Sequence, residues 1–553
     1  MQPDTLMNES NGGSLTANVV QVVARRIVAA ELSWCEGVIN TITELGGEDQ
    51  ALPYLLPGFI DAHVHIESSM LTPCEFARLA VRHGTVATVS DPHEIANVMG
   101  LEGVRYMLDN ARQTPFKFFF GAPSCVPATA FETAGARLDS EQLEALFKDS
   151  DIHYLSEMMN YPGVLAGDPE ILTKLSLARR YSYPIDGHAP GLMGEEAGCY
   201  AAAGISTDHE CSSLEEAEAK LARGMKILIR EGSAARNFEA LHALISRYPD
   251  RVMLCSDDKH PDDLQAGHIN TLAARAIASG HNVFDVLQCA CINPINHYGL
   301  SVGQLRLGDG MDAVLVDNPQ TLIPLKTWIS GQVVASDGQS LLPHIKPEAI
   351  NRFDVRKIQP ADLTVDYAGG RLRIIKALDG ELLTQELRLE PKVRDGQIVP
   401  DVARDILYLT VVNRYEPRKP AVAFIQGFGL SRGALASSVA HDSHNIIAVG
   451  SDAESICRAV NGIIDSRGGI ACVSGDSFDS LPLPIAGLMS DADGDAVAER
   501  YAELDRLAKQ MGSTLRAPFM TLSFMALLVI PELKLSDQGL FDGRNFRFTS
   551  LAV

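Results

Sequence analysis

Two histidines, His63 and His65, lie one residue apart where a short apolar run at residues 55–60 ends. In a β-strand, residues two positions apart point to the same face, so both imidazoles would point the same way. Such a pair can bind a metal ion. Because pairs of this kind also occur on ordinary strand surfaces, the chemistry has to be supported by the rest of the chain.

Further histidines and acids follow later apolar runs, at Glu157, His188, His209 and Asp257. A (β/α)8 barrel uses roughly 30 residues for each unit and places its catalytic residues at the C-terminal ends of different strands. On that scale Glu157 lies three units after His65, and Asp257 lies two short units after His209. The spacing therefore predicts that these residues follow strands one, four, five, six and eight of one barrel.

The intervening barrel units are also visible. Strand-like runs at residues 85–90, 116–120 and 225–230 fill positions two, three and seven. Segments with helix signals lie between the runs, such as Asp168-Pro169-Glu170 and the Glu- and Ala-rich residues 214–223. The alternation predicts an α/β fold, a (β/α)8 TIM-type barrel, between about residues 55 and 296.

Composition limits the classes of partner. The chain has 553 residues, of which 46% are hydrophobic, enough for more than one sizeable core. Its 47 Lys and Arg against 70 Asp and Glu give a net charge of -23. A polyanion needs clustered Lys and Arg, so this balance argues against nucleic acid or an anionic membrane as a partner. The longest apolar stretch, residues 519–530, is shorter than the roughly 20 residues that span a bilayer and predicts a core helix or strand pair.

The cysteines and the start of the chain predict a cytoplasmic location. The ten cysteines include no C-x-x-C pair, and the opening MQPDTLMNESNGG is polar where a secretory signal has an apolar stretch. Free thiols are typical of a reducing compartment.

Four strings carry a resemblance to a known family: HVHIESS, SDPHEIANV, DGHAPG and CSDDKHPDDL. They resemble the adenine deaminase family of the amidohydrolase superfamily, and the resemblance covers nearly the whole chain. It implies a barrel with a metal centre, a homodimer, and adenine as a small-molecule substrate. It points to Mn2+ or Fe2+ in a binuclear centre, although a His and carboxylate site without Cys also permits Zn2+.

The resemblance also divides the chain into three parts. Residues 1–56 and 300–345, with short strands and Gly turns, are expected to form one small β-sandwich-like domain. Residues 57–299 would form the barrel, and residues 346–553 a C-terminal α+β domain of the adenine deaminase type.

The expected chemistry adds water at C6 of a purine, which needs hydroxide at neutral pH. A metal centre supplies it by lowering the pKa of water to about 7, and two metals need a bridging ligand. Glu157 is the expected bridge, because its segment HYLSEMMN contains no Lys for the modified lysine of many amidohydrolases. The alternative is a strand-end Glu that caps a turn. The expected ligands of the two metals are His63 and His65 with Asp257, and His188 with His209.

Asp257 has a second expected role, as the base that takes a proton from the attacking water and returns it to the departing amine. Asp258 competes for this role. Adjacent strand residues face opposite ways, so only one of the two is expected to point into the barrel mouth. Asp257 is the one that matches the family motif.

The segment after the second strand carries Asp91, His93 and Glu94. We expect these side chains to overlook the metals, where they could bind purine nitrogens, shuttle protons or hold an additional ion. His93 and Glu94 are the candidate catalytic residues, and Asp91 and His93 are candidate substrate contacts. The alternative is a Pro-containing turn with Glu94 at the start of a helix, where the helix dipole favours an acid.

Glu67 and Arg230 are further candidates for substrate binding. Glu67 follows His65 by two residues and either extends the same face or caps a turn. Arg230 ends the seventh strand, where a lone Arg is more often a salt-bridging residue than a substrate clamp.

In the C-terminal region the string HDSHNIIAVG places His441, Asp442 and His444 together. Two interpretations remain open: a turn that leads into a buried strand, or a loop that reaches the barrel mouth or carries a further metal or substrate contact.

Three functions therefore have to be separated. The first is an adenine deaminase, and the second is another amidohydrolase that acts on a different aminopurine or a cyclic amide. The third is a barrel without catalysis that serves in binding or assembly. The intact set of six ligands argues against the third, because a degenerate relative is expected to lose at least one of them.

Overall fold

Four strands open the described part of the computed structural model, which covers residues 11–553. The first ten residues, which hold most of the polar opening, lie outside the described residues. The four strands are β1 (Gly13–Gln21), β2 (Arg26–Cys35), β3 (Val38–Gly47) and β4 (Tyr54–Pro57). β1 pairs antiparallel with β2 and parallel with β4.

Eight parallel strands form a closed barrel. They are β5 (Phe59–Val64), β6 (Thr85–Ser90), β7 (Lys117–Ala122), β8 (Ile152–Met158), β9 (Ile185–Gly187), β10 (Thr207–Asp208), β11 (Lys226–Arg230) and β12 (Val252–Cys255). The Ser206 N–H donates to the Ile185 carbonyl (2.9 Å) where β9 meets β10. The Asp257 N–H donates to the His63 carbonyl (2.9 Å) and closes the last strand onto the first.

Helices connect the barrel strands. They are α1 (Pro73–Ala80), α2 (His93–Met99), α3 (Leu101–Ala111), α4 (Ser140–Phe147), α5 (Tyr161–Ala166), α6 (Pro169–Arg180), α7 (Gly194–Ala202), α8 (Leu214–Leu221), α9 (Phe238–Leu241), α10 (Leu244–Arg247), α11 (Pro261–Ala266), α12 (Ile269–Ala278), α13 (Val283–Leu287) and α14 (Asn293–Tyr298). The Asp168 carboxylate accepts hydrogen bonds from the Glu170 and Ile171 N–H groups at the start of α6. This is the cap that the Asp-Pro signal predicts.

Strands from both sides of the barrel share one flanking sheet. The later strands are β13 (Ala313–Val316), β14 (Pro324–Ile329), β15 (Gln332–Ser336) and β16 (Gln339–Ser340). β13 pairs antiparallel with β4, and the sheet order is β16-β15-β14-β13-β4-β1-β2-β3. The proposed domain boundaries at residues 56, 299 and 345 stay predictions.

The apolar run at residues 55–60 is divided between two sheets. β4 belongs to the flanking sheet and β5 to the barrel, with Gly58 between them. A Cβ at Gly58 would lie 2.4 Å from the Val86 side chain, so a larger residue does not fit this bend without displacing Val86. The first barrel strand is therefore shifted toward the C-terminus, and His63 lies inside it.

The C-terminal region is built on a second large sheet. Its elements are β17 (Leu372–Ala377), β18 (Thr384–Leu389), β19 (Lys392–Arg394), β20 (Gln397–Val399), β21 (Leu407–Val412), β22 (Ala421–Gln426), β23 (Ala434–Ser437), β24 (Ile446–Gly450), α15 (Ala453–Ser466), β25 (Gly469–Ser474), β26 (Ser477–Pro482), α16 (Gly494–Gln510), α17 (Pro518–Phe524), β27 (Leu533–Ser536), β28 (Gly539–Asp542) and β29 (Arg547–Phe548). The large sheet has the order β18-β17-β22-β21-β24-β23-β25-β26, and α16 packs against α1 and α11 of the barrel. The predicted fold class is confirmed.

The apolar stretch at residues 519–530 lies in the core of this region, in α17 and the turns that follow it. Within residues 11–553, no helix combines the length and apolar character needed to cross a bilayer.

Candidate active site

The predicted ligands converge at one end of the barrel. His63 lies in β5 and His65 directly after it, and Glu157 lies in β8. His188 follows β9 and His209 follows β10, whereas Asp257 lies two residues beyond the end of β12. All six side chains are buried. They meet because the carboxyl ends of parallel barrel strands lie at the same end of the barrel.

Glu157 lies at the centre of the cluster. Its Oε1 atom is 3.4 Å from His65 Nε2, and its Oε2 atom is 2.8 Å from His188 Nδ1 and 3.1 Å from His209 Nε2. The two oxygens thus face different histidines. This is the arrangement that a bridging carboxylate needs.

Asp257 lies beside the histidine pair of the first strand. Its Oδ1 atom is 3.5 Å from His63 Nε2 and 3.3 Å from His65 Nε2. Its Oδ2 atom accepts a hydrogen bond of 2.6 Å from Arg230 Nη1. One oxygen therefore faces the cluster while the other is fixed by a guanidinium.

The donor atoms fit a divalent metal. Those of His63, His65 and Asp257 lie within 4.8 Å of one another, and so do those of His63, Glu157 and His209. The Nε2 atoms of His63 and His65 are 3.2 Å apart. Buried imidazole nitrogens and carboxylate oxygens that converge in this way are ligands for divalent transition metals.

Both acids of the cluster are held as carboxylates. Burial opposes ionisation of Glu157, but contacts with His188 and His209 outweigh it and hold its pKa well below the usual range. Burial likewise opposes ionisation of Asp257, and Arg230 outweighs it and lowers the pKa. Metal ligands have to be deprotonated, so this state suits binding.

The segment after the second strand lies against Glu157. His93 Nδ1 is 3.1 Å from Asp91 Oδ2 and 3.6 Å from Glu157 Oε1. His93 Nε2 is 3.7 Å from Glu94 Oε1. All of these side chains are buried, and α2 begins at His93. The structure therefore contains both expected features: these side chains lie near the candidate ligands, and Glu94 lies in the first turn of a helix.

Asp258 also reaches the mouth. β12 ends at Cys255, and Asp257 has a φ of 55°, so the alternation of an extended strand does not apply to the two acids. Asp258 Oδ1 accepts a hydrogen bond of 2.5 Å from Ser68 Oγ and lies 4.0 Å from His441 Nε2. The expectation that only one of the acids faces the mouth is wrong for this reason.

Glu67 lies in a short 3-10 helix, Ile66–Ser69, and not on an extended strand. Its Oε1 atom accepts a hydrogen bond of 3.1 Å from the Ile95 N–H in the first turn of α2. Its Oε2 atom is buried and has no hydrogen-bond partner among residues 11–553. Burial raises the pKa of Glu67 to about 7. Its role as a substrate contact stays a prediction.

Arg230 lies between two buried acids. Besides Asp257, its guanidinium contacts Glu210, whose Oε2 accepts a hydrogen bond of 2.9 Å from Arg230 Nη2. Glu210 Oε1 is 3.5 Å from His209 Nε2. Sequence reasoning missed Glu210, although its position directly after His209 in TDHEC is a signal that could have found it.

Residues of the C-terminal region reach the same end of the barrel. Glu94 contacts His441 through Oε1 and His444 through Oε2. Asp442 Oδ1 is 3.7 Å from His93 Nε2. These contacts agree with the second interpretation of HDSHNIIAVG, a loop that reaches the barrel mouth.

Two family models match this chain. Residues 54–334 match the Amidohydrolase family, and residues 381–547 match the Adenine deaminase C-terminal domain. The first match spans β4, the barrel and the flanking strands β13 and β14, and it ends within β15. The second lies within the C-terminal region.

Full-length relatives agree with both matches. An adenine deaminase of Salinibacter ruber is 54% identical over 98% of this chain and 99% of its own length. Adenine deaminases of Sulfurovum sp. and Methanosarcina barkeri are 54% and 51% identical over 97% and 96% of this chain, and over 98% of their own lengths. The chain belongs to the adenine deaminase family of the amidohydrolases.

Proposed function

We propose that this chain is an adenine deaminase, which converts adenine and water into hypoxanthine and ammonia. The observation that carries the proposal is the agreement with named adenine deaminases over both the barrel and the C-terminal region, at 54% identity. The buried cluster around Glu157 supports it, because hydrolysis of an aminopurine needs a metal-activated water.

Six residues are proposed as ligands of a binuclear centre. His63, His65 and Asp257 would hold one ion, and His188 and His209 the other, with Glu157 between them. When bound, a divalent metal lowers the pKa of water so that hydroxide forms near neutral pH. The family resemblance favours Mn2+ or Fe2+, and the donor set also permits Zn2+.

Asp257 is proposed to move the proton. Its Oδ1 atom faces His63 and His65, whereas Oδ2 is fixed by Arg230. It accepts a proton as water oxygen bonds to C6 and delivers a proton to the amine, which leaves as ammonia. Arg230 orients Asp257 by these contacts, which favour this role over direct substrate binding.

The purine is proposed to lie against the side chains that follow the second strand. His93 and Asp91 lie beside the bridging Glu157, and Glu94 lies on the far side of His93. These groups can exchange protons with the ring nitrogens while C6 faces the metals. Glu67 is a further candidate contact. It accepts a hydrogen bond from α2 through Oε1, and its Oε2 atom has no partner among residues 11–553.

The test is an ultraviolet assay of adenine with protein reconstituted in Mn2+. We expect turnover of adenine and about two metal ions per chain. Asp257→Asn should lose activity about 100-fold or more while it retains much of the metal. Turnover of a dihydropyrimidine or hydantoin without turnover of adenine would instead identify another amidohydrolase.

The expected homodimer and cytoplasmic location stay predictions. Light scattering of the purified protein measures the first, since a dimer doubles the 59.7 kDa mass of one chain.

A further inference from the structure

The C-terminal region contributes two buried histidines to the barrel mouth. His441 Nδ1 contacts Glu94 Oε1, and His444 Nε2 contacts Glu94 Oε2. The three side chains are at most 2% exposed. Both oxygens of one carboxylate are thus engaged by residues about 350 positions away in the chain.

The hydrogen bonds of His444 define its tautomer. Its Nδ1 atom accepts a hydrogen bond of 3.3 Å from the Ala440 N–H, so Nδ1 carries a lone pair. In a neutral imidazole the other nitrogen then carries the hydrogen. His444 Nε2 therefore donates to Glu94. A metal ion at Nε2 would need a lone pair there, which moves the imidazole hydrogen to Nδ1. That hydrogen would then face the Ala440 N–H hydrogen.

The second histidine is fixed by its surroundings. The His441 ring stacks on Phe524 of α17, with ring centres 5.0 Å apart and an interplanar angle of 25°. Its Nε2 atom points toward Asp258, 4.0 Å away. With Glu94 at Nδ1, the ring lies between two acids and a flat aromatic face.

The loop that carries both histidines is anchored on both sides. It joins β23 to β24, and the Tyr415 hydroxyl donates to the Ser443 carbonyl (2.6 Å). Asn445 Nδ2 donates to the carbonyl of Thr133 in the barrel part (2.9 Å). Ser523 Oγ of α17 donates to the Val439 carbonyl (2.7 Å). These bonds limit the positions that the two imidazoles can take.

We propose that His441 and His444 are positioning residues that hold the Glu94 carboxylate at the barrel mouth, so that the C-terminal region completes the active site. The inference rests on the proposed function, because Glu94 is one of the groups expected to exchange protons with the purine. A glutamate side chain has several rotatable bonds, and fixing both oxygens removes that freedom before substrate binds.

The charge of Glu94 agrees with this arrangement. Burial opposes its ionisation, but the contacts with His441, His444 and His93 outweigh burial and hold its pKa well below the usual range. The carboxylate therefore stays an acceptor for both imidazoles.

The experiment replaces each histidine with Gln and with Asn, two amides of different length. A Gln amide nitrogen can replace Nε2, and an Asn amide nitrogen can replace Nδ1. His444→Leu and His441→Leu should each lower kcat for adenine by about 10- to 100-fold, as for other groups that orient reacting residues. His444→Gln should recover most of kcat and His444→Asn should not. For His441 the pattern should reverse, with Asn the better replacement.

Metal content and a matched variant complete the test. All four amide variants should keep the metal content of the wild type. His344→Leu removes another His–Glu contact, the 2.8 Å pair with Glu75 on α1, and should leave kcat unchanged. In a Glu94→Gln background, His444→Leu should lower kcat no further, because the two residues act as a unit.

Two results would overturn the inference. One is wild-type kcat in both Leu variants. The other is a wild type with three metal ions per chain that loses one ion in the His444 variants, which would make the cluster a metal site. Failure of the proposed function is a separate result, namely a wild type that binds metal but does not turn over adenine.

Discussion

Two buried glutamates, each surrounded by histidines, lie at the same end of the barrel. The histidines around Glu157 come from the ends of barrel strands, whereas those at Glu94 include two from the C-terminal region. At Glu157 the nitrogens and oxygens converge in several groups of three or four donors that lie within 4.8 Å of one another. The donors of Glu94, His441 and His444 also lie within 4.8 Å of one another, so distance alone does not separate the two clusters. At Glu94 the histidines engage one oxygen each, and the Ala440 N–H fixes the tautomer of His444. The same residue types thus suit a metal in one place and a hydrogen-bonded carboxylate in the other.

The largest effect is expected for Glu157→Gln. An amide has one neutral acceptor oxygen in place of a carboxylate that can bridge, so metal content should fall and kcat/KM for adenine should drop by about 10⁴-fold. Metal analysis and the adenine assay measure both. Glu75→Gln, at a buried glutamate on α1, is the control. Retention of two metals in Glu157→Gln would refute the bridging role.

Arg230→Met tests the buried ion pairs that hold the acids beside the Glu157 cluster. It leaves Asp257 and Glu210 buried without their cation, so the free energy of unfolding should fall by about 3 kcal/mol. Urea unfolding measures this change. Arg112→Met removes an arginine that is 47% exposed and paired with surface acids, and should cost less than about 1 kcal/mol. Equal losses in the two variants would contradict the prediction.

Glu94→Gln tests the second cluster, in which a carboxylate is held by hydrogen bonds. It keeps the shape of the side chain but removes the charge, so kcat for adenine should fall about 100-fold. Metal content should stay at the level of the wild type, in contrast to Glu157→Gln. Loss of metal from Glu94→Gln would make the two glutamates alike and remove the distinction drawn between them.

The smallest effect is expected for His260, another buried histidine between the barrel and the C-terminal region. His260 packs on Tyr501 of α16, with ring centres 4.5 Å apart. Burial, with a smaller contribution from His441 that the nearby Asp263 opposes, lowers the pKa of His260 to about 3. The unfolded chain therefore binds a proton below about pH 6.5 that the folded chain does not bind, and stability falls as the pH decreases from 6.5 toward 3.

His260→Phe should remove this acid-sensitive contribution, which is about 2 kcal/mol at pH 5. Urea unfolding at pH 5 and pH 8 measures it, since the difference between the two pH values should be smaller in the variant. An unchanged difference would show that His260 is protonated in the folded protein. His344→Phe, at a partly exposed histidine, is the control.

Spacing along the sequence located the candidate ligands because a parallel barrel repeats one unit. Glu157 lies near the end of β8, and His188 and His209 follow the next two strands. The barrel brings the ends of those strands together whatever the helices between them contain. The same reasoning failed for Asp257 and Asp258. It assumed extended backbone, and the chain had already left β12 when it reached them.

Other features were beyond that reasoning because they depend on packing between distant segments. The division of the apolar run at Gly58 follows from the close approach of Val86. The pairing of Arg230 with Glu210 and Asp257 requires the ends of three barrel strands to lie at the same level along the barrel axis.

The sequence by itself determined the family, the barrel and the six candidate ligands at its mouth, because motif and repeat are local properties of a chain. Only the tertiary structure decided what His63 and His65 face, since the carboxylates between and beside them come from β8 and from beyond β12. Only the tertiary structure placed His441 and His444 on Glu94. No local pattern encodes that contact, because it arises where the β23–β24 loop packs onto the barrel.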